Sequence, residues 1–76
     1  MSAARLPILK AGKLAKVLIE LGFTAVRQKG SHVFFQHHDG RTTLLSRHAG
    51  EDIGRGLLRR ILREIEVTPE EFSKHL

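Results

Sequence analysis

The sequence predicts an α+β domain in the order helix, three antiparallel strands, helix, short helix, with both long helices on one face of the sheet. Three observations predict it. Apolar residues recur at helical spacing on either side of a central stretch that loses that spacing. The central stretch is rich in Val, Phe and Thr and is punctuated by glycine. The chain has 76 residues, enough for a single domain (1–76) with one small core that leaves only a few kcal/mol of net stability.

The opening segment, 1–9, carries Pro7 and no periodicity and reads as an N-terminal arm. From Lys10 to Leu21 the apolar residues Leu14, Val17, Leu18 and Leu21 share one helical face, with Lys13, Lys16 and Glu20 elsewhere. Gly22 stands where a left-handed C-terminal cap belongs, and Phe23 follows as its apolar contact. The start of this helix is poorly signed. Lys10 and Ala11 are not capping residues and Gly12 lowers propensity, so fraying is expected there.

Thr24 to Lys29 reads as a first strand, and Lys29-Gly30 as the turn after it. His32 to His37 is the strongest strand. Asp39-Gly40 signals a second hairpin, which Thr42 to Ser46 completes. The second long helix is expected between Asp52 and about Glu66, where Ile53, Leu57, Leu58, Ile61, Leu62 and Ile65 form a stripe and Gly54 and Gly56 weaken the first turn. Thr68-Pro69-Glu70-Glu71 is a full start signal for a short last helix with Phe72 inward.

Thirteen Lys and Arg against eight Asp and Glu give a net charge of +5, which either attracts polyanions, with nucleic acid the natural partner, or merely keeps a small protein soluble. The absence of cysteine excludes disulfide-stapled secreted scaffolds and zinc-finger spacings. The first residues lack the apolar core of a signal peptide, and Val17-Leu18-Ile19 is far short of a membrane span. A cytoplasmic location without a membrane is therefore expected.

Alternation along the central strand puts Val33, Phe35 and His37 on one face and His32, Phe34 and Gln36 on the other. The Val/Phe pair makes the better core set, so His32 and Phe34 belong on the open face, unless a bulge after Gly30 inverts the order. There an imidazole can act as general base or acid, activating a 2′-hydroxyl of RNA against the adjacent phosphate. Lys29 and Arg27 can hold that phosphate. By position alone, a histidine beside a turn is more often structural.

The remaining candidates each have two readings. His48, in Ser46-Arg47-His48-Ala49-Gly50, is either a second acid/base group or a loop-closing residue. Phe34 either stacks on an unpaired base or marks a protein interface. Arg55, Arg59, Arg60 and Arg63 form either a phosphate-tracking band or a solvated helix face. His37, His38 and Asp39 resemble a metal site, but neighbouring strand side chains diverge, so no metal or other cofactor is expected. His75 is expected to be solvated.

A first helix ending in Gly22-Phe23, then Lys29-Gly30-Ser31-His32 and Phe35, then His48, Gly50, Ile53, Gly56, Leu58, Arg59, Ile61-Leu62 and Glu71-Phe72, resembles the HicA type of toxin from bacterial and archaeal toxin–antitoxin pairs. The likeness runs from about residue 8 to 73. It implies a fold like the double-stranded RNA-binding domain and a metal-independent endoribonuclease that cleaves messenger RNA and arrests growth. It also implies a HicB-type antitoxin that covers the active site, with the free toxin expected as a monomer. The family's catalytic histidine falls on His32, its supporting glycine on Gly30, and its second common histidine on His48; Lys29, Ser31, Arg27 and Phe34 complete the nucleic-acid-binding set. Ser46 stands where proline is frequent, Glu66 where a glycine usually ends the second helix, and Val33 where many members have a second histidine. The alternative is a non-catalytic RNA-binding module of the same fold; a third reading, a partner-dependent adaptor, turns over no RNA.

Overall fold

The structure, a computed structural model, describes residues 6–76; of the N-terminal arm, residues 1–5 lie outside the described residues. Eight elements follow in order: β1 (Leu9–Lys10), α1 (Ala11–Glu20), β2 (Phe23–Lys29), β3 (His32–His37), β4 (Thr42–Ser46), β5 (Asp52–Ile53), α2 (Arg55–Ile65) and α3 (Pro69–Ser73). Strands β2, β3 and β4 form an antiparallel meander in that spatial order, and β1 and β5 form a separate two-stranded pair. The layout is α+β of the α-β-β-β-α type found in double-stranded RNA-binding domains, with a short extra helix.

The core lies between one face of the meander and the helices. Leu14, Val17 and Leu18 of α1, Leu58, Ile61, Leu62 and Ile65 of α2 and Phe72 of α3 meet Phe23, Phe35 and Leu45 of the sheet. The expected alternation of β3 is present: Phe35 is buried, Val33 packs against the core, and His32 and Gln36 are exposed. Leu57, expected in the apolar stripe of α2, instead lies exposed.

Several expectations fail where long-range contacts decide the outcome. The segment 6–9 is no free arm: Leu6 and Leu9 are buried, and Arg55 Nε donates to the Leu6 carbonyl at 2.7 Å. The first turn of α1 does not lack partners. Ala11 N–H donates to the Glu51 carbonyl (2.8 Å) and Gly12 N–H to that of Ala49 (2.9 Å), so the loop after β4 supplies the cap that local sequence lacks. Helix α2 begins at Arg55, because Asp52 and Ile53 pair with Lys10 and Leu9.

Glycine is required at the end of α1. Gly22 has φ +97°, and a Cβ there would lie 2.9 Å from His37 Nε2. Gly22→Ala is expected to cost about 1–2 kcal/mol from the left-handed backbone alone, seen as a lowered urea midpoint at unchanged m-value. The end of α2 reaches the same geometry without glycine. Glu66 has φ 58° and ψ 44°, and Val67 N–H donates back to the Leu62 carbonyl at 3.0 Å. Glu66 thus makes a left-handed turn at the joint to α3 where the sequence left its geometry open. Thr68 Oγ1 accepts from Glu71 N–H at 3.1 Å and starts α3 as predicted.

The hairpin between β3 and β4 is tied to α2. Arg41 reaches the Ile65 carbonyl through Nη1, places its guanidinium over the Phe23 ring, and donates through Nε to the Asp39 carboxylate at 2.9 Å. Thr43 Oγ1 donates to Glu64 at 2.7 Å, so Glu64 pairs with the sheet. The Asp39 carboxyl is lowered to about 2, chiefly by the Arg41 side chain and then by the Arg41 N–H. A carboxylate depressed on folding stabilises above its unfolded value near 3.8 and loses that contribution as pH falls through about 2. An NMR titration toward acid is expected to place the midpoint of the Asp39 carboxyl well below 3.8.

Candidate nucleic-acid interface

Gly30 and Ser31 are the two central residues of the β2–β3 turn, and Lys29 pairs directly with His32. The turn therefore lies one residue later than Lys29-Gly30. Gly30 has φ +59° and open space where a Cβ would stand, so backbone conformation alone calls for glycine. Positive φ at the first central position is the II′ arrangement that matches strand twist.

The register sorts the open face into three rungs. Lys29, His32 and Ser46 stand side by side at the turn end, followed by Arg27, Phe34 and Leu44, then Thr24, Gln36 and Thr42. Side chains within a rung are about 5 Å apart at Cβ, and rungs are about 7 Å apart. The end rung is ionic and hydroxylic, the second apolar under a cation, the third neutral and polar.

A bulge makes this arrangement. The β2–β3 register shifts between Ala25 and Arg27, leaving Val26 as the extra residue. Strict alternation from Thr24 would send Arg27 and Lys29 to the core side. The extra residue turns both to the open face, where the Arg27 guanidinium lies 4.8 Å from the centre of the Phe34 ring. The bulge falls in β2 and leaves the faces of β3 as predicted.

The loop after β4 closes this end of the sheet. Ser46 Oγ donates to Glu51 Oε1 at 2.8 Å and accepts from His48 N–H at 3.1 Å; Arg47 N–H donates to the Ser31 carbonyl at 3.0 Å, and Glu51 N–H to that of His48 at 2.9 Å. The loop is thus fixed by the backbone of His48, whose imidazole is exposed and has no hydrogen-bond partner among the described residues. His32, Lys29, Ser31 and Arg27 are likewise exposed, and Phe34 is half-buried. Sequence reading missed Ser46, Glu51, Leu44 and Thr42, which join the site through register and loop contacts between residues far apart in the chain.

The other histidines lie away from this end. His37 packs its ring edge on Phe23, and its Nδ1 lies 3.2 Å from Asp39 N–H and 3.0 Å from the Asp39 carboxylate. The neutral ring accepts from the N–H; the protonated ring faces the carboxylate. His38 does not diverge from it: the two rings lie 4.3 Å apart, because the strand ends at His37 and His38 already belongs to the turn. His75 is not simply solvated but meets Glu20 at 3.2 Å. Among the described residues no group of three or more His, Cys, Asp or Glu is placed to hold a metal ion, and no helix is long and apolar enough to cross a membrane.

The family model of the HicA toxin of bacterial toxin–antitoxin pairs matches residues 11–67. That span runs from the first residue of α1 to just past the left-handed turn at Glu66, so it contains both long helices and the whole meander. No curated protein matches the chain.

Proposed function

Because the chain belongs to the HicA toxin family and is thereby the toxin of a toxin–antitoxin pairing, we propose that it is an endoribonuclease that cleaves single-stranded messenger RNA with His32 as general acid/base. The observation that carries this reading is the end rung: an exposed imidazole on the central strand, paired across the register with Lys29 on one side and Ser46 on the other.

The chemistry follows from that neighbourhood. His32 takes the proton of a ribose 2′-hydroxyl, and the freed oxygen attacks the adjacent phosphorus. The bond from phosphorus to the 5′-oxygen breaks, leaving a 2′,3′-cyclic phosphate on one fragment and, once the leaving oxygen is protonated, a 5′-hydroxyl on the other. Lys29 faces the charge that builds on the phosphoryl oxygens, and Arg27 binds along the backbone. His48, an exposed imidazole on the loop organised by Ser46 and Glu51, binds RNA at the same end of the sheet. Reaction through the substrate's own hydroxyl uses no metal.

A HicB-type antitoxin silences the enzyme by covering His32 and the open face, whose exposed Leu44 and Val26 suit a protein cover. The deciding experiment is incubation of the purified protein with RNA in excess chelator. Fragments with cyclic-phosphate ends are expected; cleavage that appears only on adding a divalent metal overturns the mechanism. RNA binding without any cleavage favours the non-catalytic module instead.

A further inference from the structure

We infer that the second rung, two residues along β3 from His32, forms with the third a subsite for one unpaired nucleobase, with Phe34 as its stacking platform and Gln36 and Thr42 as its reading groups. The inference rests on the ribonuclease reading for its place beside a scissile phosphate, but the pocket stands on its own geometry. Val26, Arg27, Phe34, Gln36 and Thr42 line a shallow hollow of about 400 Å³ on the open face, the size of a small-ligand site. Its floor is an aromatic ring, one wall is aliphatic, and its far end carries an amide and a hydroxyl.

Each part fits a base. The Arg27 guanidinium already lies over the Phe34 ring, 4.8 Å from its centre, in a cation–π contact; it stands where a base would stack, and its long side chain can swing to the adjoining phosphate. The bulge at Val26 holds both Val26 and Arg27 over this face. Gln36 and Thr42 are directly paired across the register, and between them offer donors and acceptors to a base edge. Across the ring a second hollow is bordered by Leu44 and Arg60, so cations flank Phe34 on two sides. Glu64, the one carboxylate lining either hollow, is engaged by Thr43. Such a surface favours a polyanion with exposed π-faces over an acidic but aromatic-poor partner. The rung spacing of about 7 Å is that of one nucleotide in an extended strand, so the base read here neighbours the phosphate at His32.

The test uses the full chain and single-stranded oligonucleotides varied at one nucleotide next to a mapped cleavage point. Phe34→Ala is expected to lower kcat/KM about ten- to hundredfold, the usual range for one stacked base, while Phe34→Trp retains activity and both variants keep the wild-type melting temperature. An abasic nucleotide at that point should cost the wild type a similar factor and Phe34→Ala little more. Gln36→Glu, which exchanges a donor for an acceptor, should change the preferred base. Binding of the same oligonucleotides to His32→Ala, with and without Phe34→Ala, separates the two readings: weaker binding of the double variant sustains the subsite even if the wild type cuts no RNA. Unchanged binding and unchanged base preference overturn it, as does a Phe34→Ala variant that loses affinity only for the protein antitoxin.

Discussion

His32→Ala is expected to slow RNA cleavage by about a hundred- to ten-thousandfold, the range for loss of one general acid or base, with folding and RNA affinity preserved. The separation follows from where His32 sits. Its side chain is exposed, among the described residues it has no hydrogen bond or ion pair, and its neighbours in the rung are held by the strand ladder rather than by the imidazole. Removal of such a surface group ordinarily changes stability by no more than about 0.5 kcal/mol. Phosphate contacts from Lys29 and Arg27 remain, so binding and its salt dependence should persist. Single-turnover cleavage rates, read beside thermal melting and a binding isotherm, check all three at once. A wild-type cleavage rate in the variant removes His32 from the chemistry.

Phe72→Ala is expected to have the largest effect on stability, about 3–5 kcal/mol. The ring is fully buried, and it belongs to a helix of five residues that cannot stand alone. Its burial against the core, with the cap from Thr68, fixes α3 on the domain. A chain of this length has a total stability of roughly 4–11 kcal/mol, so one truncated side chain can remove most of it. Urea unfolding should show the midpoint falling sharply, and in cells the variant should lose toxicity through depletion of folded protein. His32→Ala and Phe72→Ala thus abolish the same phenotype by different routes, and the soluble protein level distinguishes them.

Much of the architecture was legible because local chemistry and long-range packing agree. His32–His37 and Thr42–Ser46 have the bounds that alternation and glycine turns predict, Gly22 caps α1, and Thr68 starts α3. What was illegible depends on partners distant in sequence. The start of α1 carries no capping side chain, since its cap is a pair of carbonyls from 49 and 51. Ile53 fits a helical stripe by spacing yet pairs with Leu9 in an extended bridge. The bulge at Val26 has no glycine to announce it, and Glu66 takes a left-handed conformation that sequence assigns to Gly or Asn. For the candidate site, His32 and Phe34 could be grouped from alternation alone, whereas Lys29 and Arg27 join their face only through the bulge at Val26. The role of Ser46 as register partner of His32 and organiser of the His48 loop needed the fold.

The carbonyl cap on α1 also bears on the native-state fluctuations of the protein. The segment that carries His48 gives Ala49 and Glu51 to the first turn of α1, and the next two residues clasp Leu9 and Lys10. This segment cannot lift away from the sheet without uncapping the helix and releasing the chain's N-terminal strand. Opening of the His48 loop is therefore a cooperative, sub-global event rather than the idle motion of a surface loop. The amides of Ala11 and Gly12 should exchange with solvent together with that of His48, so that two places far apart in sequence report one opening reaction.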